Sequence, residues 1–245
     1  MSIALNMITG KFKEPLIKEA INSVLPIVNE LVFVDTSPGN NPNIEDIKSF
    51  NGAKIILYEE DMDFAKARNL NKKYTESEWI IRLDADEIVN ECFLDEIVEL
   101  SKSDASAIEA KLWHHMLHPD YIIDRDRDIK PILLRTNDFD WIHSVHEQPM
   151  FKCGYKKPAW HIKRNHYGWC LNPEHIYEKH RLYEKLGGIT VIKTNYYPNW
   201  IVDFCKYYYG FTTLIKYKQP HPLVASKKLI ELFPDLGTYT RFEVE

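Results

Sequence analysis

Trp79-Ile80-Ile81-Arg82-Leu83-Asp84-Ala85-Asp86-Glu87 decides the fold. Its apolar start reads as a short buried strand, and its acidic end places two carboxylates, two residues apart, at the C-terminal tip. On a strand, residues i and i+2 share a face, so Asp84 and Asp86 are expected to converge on one point. Two close carboxylates raise each other's pKa unless a cation sits between them. Oxygen ligands at an open sheet edge suit Mg2+ or Mn2+ held jointly with a substrate phosphate. The stretch points to a metal–nucleotide site.

Upstream, Ile3 to Met7 reads as a first strand. A helix from Glu14 carries Ile17, Ala20, Ile21, Val24 and Leu25 on one face. Leu31-Val32-Phe33-Val34 is the short apolar run of a parallel strand covered on both sides, with Asp35 at its tip and a turn-rich stretch after it. A third strand spans Lys54 to Tyr58. Asp63 is the expected N-cap of a helix bearing Phe64, Ala65, Ala67 and Leu70. Cys92 to Leu100 reads as helix. This alternation implies βαβ units and a mostly parallel sheet, which binds ligands beyond the carboxyl ends of its strands. Asp35, Asp84 and Asp86 all fall at that edge.

Beyond residue 105 the pattern changes. Strands are expected at Ala107–Met116 and Pro131–Leu134, with Asp124-Arg125-Asp126-Arg127-Asp128 as a solvated loop or hairpin turn between them. A helix opens at Asn172 or Pro173 and runs to about Leu186, where Gly187-Gly188 stops it. Further helices are expected from Trp200 to about Tyr217 and over Ala225–Phe233.

The chain of 245 residues suits one α/β domain, or a core with an appendage. No apolar run approaches the roughly 18 residues of a membrane span. The N-terminus lacks the basic and apolar regions of a signal peptide. Cys92, Cys153, Cys170 and Cys205 have neither CxxC nor metal-type spacing, so they read as reduced thiols in a cytoplasmic protein. The net charge of −5 hides a division: residues 1–149 hold 16 Lys+Arg against 28 Asp+Glu, and residues 150–245 hold 15 against 8. The basic half either packs on the acidic half or meets an anionic partner.

Five separated pieces, in order, resemble one family. They are Val34-Asp35-Thr36-Ser37, Asp63-Phe64-Ala65-Lys66-Ala67-Arg68-Asn69, Leu83-Asp84-Ala85-Asp86-Glu87, Val145-His146-Glu147 and His166-Tyr167-Gly168-Trp169. Together they resemble family-2-type glycosyltransferases, and more narrowly a bacterial and phage branch with FAxARN, LDADE, VHE and HYG motifs. The resemblance covers residues 1–186. It implies an α/β, GT-A (Rossmann-like) fold: a mixed, mostly parallel sheet flanked by helices. Residues 187–245 then form a helical, basic and aromatic C-terminal extension, serving the acceptor side or oligomerisation.

The same resemblance implies a nucleoside-diphosphate sugar as donor, a UDP-sugar first, with Mn2+ or Mg2+ on its diphosphate. Asp86 would be the direct metal ligand, and His166 would close the coordination sphere. Asp84 would act through water or hold the ribose or sugar. Asp35 would meet the nucleobase or ribose, and Arg68 the diphosphate or base, a task for a planar permanent cation; an ion pair of Arg68 with Asp84 is compatible. Glu147 would be the general base of an inverting transfer. His146 is a metal ligand, an acceptor contact or a buried structural histidine, and His143 a structural one.

The sequence has no Gly-rich phosphate loop and no nucleophile triad. Aromatic residues interleave with cations in the basic half, which suits sugars, nucleobases or an anionic polymer, and equally suits packing. The acceptor is accordingly a glycan, a peptide side chain or a modified nucleic-acid base. Two rivals stand beside a transferase. One is a sugar nucleotidyltransferase, whose Gly-rich opening loop is missing here. The other is a catalytically inactive glycan- or nucleic-acid-binding relative.

Overall fold

The structure is a computed structural model that describes residues 1–59, 63–116, 118–123, 128–144, 147–170, 173–185 and 214–236. The N-terminal half alternates as its sequence demands: β1 (Ile3–Thr9), α1 (Ile17–Val24), β2 (Glu30–Asp35), α2 (Ile44–Lys48), β3 (Ala53–Leu57), α3 (Phe64–Lys73) and β4 (Trp79–Arg82). β5 (Glu87–Val89) and α4 (Leu94–Leu100) follow. A β-rich half comes next, with β6 (Ala107–Met116), β7 (His118–Ile123), β8 (Ile129–Arg135), β9 (Phe139–Ile142), β10 (Gln148–Phe151) and β11 (Lys156–Trp169). α5 (Pro173–Lys185), β12 (Leu214–Lys216) and α6 (Leu223–Leu232) complete the described chain.

One ten-stranded sheet runs β12-β7-β6-β8-β4-β1-β2-β3, with β11 pairing β6 and β5. β1 pairs in parallel with β2 and β4, and β2 with β3. From β4 onward the sheet is mixed: β8 is antiparallel to β4 and β6, while β11 runs parallel to β6. β9 and β10 form a separate two-stranded ribbon. This layout directs the ends of β1, β2 and β4 toward one edge.

β1 and β2 are buried on both faces because helices cover them, which explains why their apolar runs are continuous rather than alternating. Four of the five residues on the predicted face of α1, Ile17, Ala20, Ile21 and Val24, join the main core, whereas Leu25 is exposed in the turn beyond the helix. Each large aliphatic side chain so buried contributes about 1.5–3 kcal/mol. Asp63 caps α3 as expected, its side chain accepting from Lys66 N at 2.9 Å.

The second half departs from the sequence reading in two places. β5, β7, β9, β10 and the 14-residue β11 are additional strands. The helix expected from Trp200 to Tyr217 is corrected at its end, where Leu214–Lys216 is β12, antiparallel to β7; residues 200–213 lie outside the described residues. Part of the aromatic content is packing: buried Tyr167 stacks on His115 with centroids 4.4 Å apart, and Tyr217 meets His115 edge-on. α6 buries Ala225 and Leu229 in the main core. Among the described residues, no helix is long and apolar enough to cross a membrane.

Candidate active site

At the carboxyl edge of the sheet, a buried polar network ties two loops together. Asp35 ends β2, and its Oδ1 accepts from Ser37 N and from Asn41 Nδ2, both at 2.9 Å. Asn41 also donates to Thr9 Oγ1 at 2.8 Å. Asn43 donates to Phe12 O at 2.7 Å and accepts from Glu14 N at 2.9 Å. The Asp35 carboxylate thus organises its own turn, as aspartates after strands do, and is buried.

The Asp63–Asn69 motif explains itself in the next layer. Asn69 clasps β9 with two bonds, donating to Trp141 O at 2.8 Å and accepting from Trp141 N at 2.9 Å. Asn71 donates to Met7 O and Val32 O, fixing α3 across β1 and β2. Buried Ala65 and Ala67 let the helix lie close. The outcome is that Arg68, 4 % exposed, points into an acidic cluster with its guanidinium 5.9 Å from the Trp141 ring centroid.

Two arginines hold that cluster. Arg68 Nη2 pairs with Asp84 Oδ1, and Arg68 Nε lies 3.2 Å from Glu147 Oε1. Arg82 Nη2 lies 2.8 Å from Asp84 Oδ2 and 3.3 Å from Glu147 Oε1. Burial works to neutralise Asp84, but Arg82 and Arg68 outweigh it and hold its carboxyl far below the usual carboxylate range. Beneath, fully buried Arg164 pairs with Glu87 at 2.9 Å and donates to Arg82 O at 3.1 Å. Arg68 Nη1 is buried and has no hydrogen-bond partner among the described residues. Such a donor awaits an acceptor.

Asp86 has different company. His166 Nε2 lies 3.6 Å from its Oδ1, and Lys179 Nζ of α5 lies 3.5 Å from its Oδ2 and 3.0 Å from Glu14 Oε1. Burial raises Asp86, yet Lys179 and His166 bring it below the usual range. Burial pushes Glu14 up to about 6, with Lys179 opposing and Asp86 adding to the rise. His166 is pushed down to about 3 by burial, against the pull of Asp86. Gly168 makes this approach feasible: a Cβ there would fall within 3.0 Å of both Asp86 Oδ2 and His166 Nε2.

The expectation that Asp84 and Asp86 project from one strand face is corrected. β4 ends at Arg82, and the two acids sit in a turn closed by Glu87 N donating to Asp84 O at 3.0 Å. Each acid therefore has its own cations. Arg68, Asp84 and Glu147 come together, as do Asp86 and His166. Among the described residues, Asp35 connects to Asp86 through the chain Asn41–Asn43–Glu14–Lys179. His146 lies outside the described residues, while His143 sits in the left-handed region, φ 68°, at the bend leading toward Glu147. Sequence reasoning missed Arg82, Glu14, Lys179, His114 and Asp128. Only Arg82 carried a signal, as a charge inside an apolar strand.

The chain belongs to glycosyl transferase family 2, whose model matches residues 8–160, and it is a glycosyltransferase. Comparison with curated proteins finds no match. Among solved structures, S. aureus TarS 1-349 is 16 % identical with a TM-score of 0.44, the alignment covering 86 % of this chain and 72 % of that one. The same protein in complex with UDP-GlcNAc scores 0.45. HddC from Yersinia pseudotuberculosis is 15 % identical with a TM-score of 0.46, over 71 % of this chain and 96 % of that one. Likeness at this level transfers neither substrates nor site residues.

Proposed function

We propose that this glycosyltransferase moves a hexosyl or pentosyl group from a nucleoside-diphosphate sugar, a UDP-sugar first, to an acceptor hydroxyl, with inversion and with Mn2+ or Mg2+. The observation that carries the reading is the convergence of Asp86 and His166 across the space that Gly168 leaves open. A carboxylate and a neutral imidazole are a competent donor pair for Mn2+. Among the described residues, no group of three or more His, Cys, Asp or Glu is placed to hold a metal ion. Donor phosphates and water would complete the shell, as is usual for such ions. When bound, the ion would supply Lewis-acid stabilisation to the departing diphosphate.

The chain's own residues do the rest. Arg68 Nη1 offers a buried donor to the diphosphate or base. Asp35 orients the base or ribose, and Asp84 the ribose or sugar. Glu147 accepts the acceptor's proton; both of its arginine contacts use Oε1, which leaves Oε2 for that task. The acceptor is a glycan, a peptide or a modified base, and residues 187–245 serve the acceptor or oligomerisation.

One observation favours a second reading. Lys179 already stands beside Asp86 as a cation, so a lysine could carry the diphosphate in place of a metal ion. Calorimetric titration of nucleotide sugars, with and without Mn2+, against wild type and Asp86→Ala separates the two. Mn2+-dependent binding lost in the variant supports the metal site. Mn2+-independent binding supports Lys179, and no binding by any donor defeats both.

A further inference from the structure

The nitrogen that His166 turns toward Asp86 is governed by contacts running away from the site. His166 on β11 is the register partner of His114 on β6, and their Nδ1 atoms lie 3.0 Å apart. On its other side, His114 Nε2 lies 2.5 Å from Asp128 Oδ2, one residue before β8. Burial favours a neutral Asp128, but the His114 hydrogen bond and nearby Lys130 hold its carboxyl well below the usual range.

An ionised carboxylate only accepts hydrogen bonds, so the proton of this short contact belongs to His114 Nε2. A neutral imidazole protonated there has an acceptor at Nδ1. With His114 in that neutral form, the proton between the two rings comes from His166 Nδ1. That leaves His166 Nε2 with its lone pair, facing Asp86 Oδ1. Their 3.6 Å separation agrees, being too long for an N–H···O bond to the carboxylate.

We propose that Asp128 and His114 are positioning residues that fix His166 in its Nδ1–H tautomer and so present an unprotonated Nε2 beside Asp86. This rests on the cation-site reading of Asp86 and His166 and deepens it. Ligating histidines depend on such outer partners for tautomer and ring orientation. Gly168 keeps the same space open from the other side.

Asp128→Asn is the sharpest probe, because its amide can donate where the carboxylate could only accept. Donation to His114 Nε2 reverses both hydrogen bonds and puts the proton of His166 on Nε2. Long-range 1H–15N correlation spectra of histidine-labelled, metal-free protein read the tautomer directly. Mn2+ affinity is measured separately by electron paramagnetic resonance. The expected result is an Nδ1–H tautomer in wild type, a shift toward Nε2–H in Asp128→Asn and His114→Ala, and Mn2+ affinity lower by about 10–100-fold in both.

Protonation of Nε2 in the wild type would overturn the proposal, a result that needs no variant to fold. A folded His114→Ala variant with unchanged tautomer and Mn2+ affinity would overturn it too, since the amide of Asp128→Asn can still accept through its Oδ1. A wild type showing the Nδ1–H tautomer and its shift in the variants, yet taking up no Mn2+, upholds the relay and overturns the cation site.

Discussion

Gly168 and Asp86 are in such close apposition that a single methyl group on Gly168 would collide with the Asp86 carboxylate, and would lie 2.9 Å from His166 Nε2. The groups struck are side-chain ends rather than backbone, so they can be pushed aside. Gly168→Ala should therefore cost about 1–3 kcal/mol of stability, the usual range for overpacking, and should sharply weaken Mn2+-dependent donor binding. Thermal melting beside calorimetry checks both. Unchanged donor binding would mean that the open space has no function.

Arg82 serves three acids, Asp84, Glu147 and Glu87. Arg82→Met leaves their charge poorly compensated in a buried setting. Loss of one partner from a buried ion pair costs about 3–5 kcal/mol, and urea denaturation should show a loss of that order.

Glu147→Gln keeps the shape and the acceptor oxygen used by Arg68 and Arg82. Donor affinity should stay near wild type, while the transfer rate falls by about 10^2–10^4, the usual contribution of a general base. Single-turnover kinetics with saturating donor makes the distinction.

Lys179→Met separates the two readings of the phosphate site. With a metal ion at Asp86 and His166, removing the competing ammonium should preserve or strengthen Mn2+ binding. With Lys179 as the diphosphate cation, donor binding should disappear whether or not Mn2+ is present. Titration of UDP with and without Mn2+ decides.

Acid should destabilise the fold through His115, which burial pushes down to about 3. The unfolded chain takes up this proton below its ordinary pKa of about 6.5 and the folded chain does not, so stability falls as pH drops through 6.5. At pH 5 the expected loss is about 2 kcal/mol from this group. Glu14, pushed up to about 6, has the opposite sign: the folded state holds its proton more tightly, which adds stability as pH falls from 7 to 5. Glu14→Gln should therefore steepen the acid loss, as measured by urea melts at pH 7 and 5.

The N-terminal half is legible in the sequence because its signals are local. Ile17, Ala20, Ile21 and Val24 repeat at the helical period, and Leu31 to Val34 is one apolar run. The place of Asp35 at the tip of β2 is legible for the same reason. β11 is not, because Lys156, Lys157, Lys163 and Arg164 mimic a solvated segment, although Arg164 is fully buried on Glu87. The strand-face argument for Asp84 and Asp86 fails because the strand stops at Arg82 and a turn begins. Lys179 meets Asp86 from 93 residues away and Glu14 from 165. Such pairings follow from the folded sheet edge, and no local pattern encodes them.

The most direct measurement is anomalous diffraction at the manganese edge from crystals soaked with Mn2+ and UDP. A peak bound by the Asp86 carboxylate and His166 Nε2, with the UDP diphosphate on the same ion, is the predicted result. UDP seated on Lys179 with no manganese peak, or manganese bound away from Asp86, would contradict the proposed site.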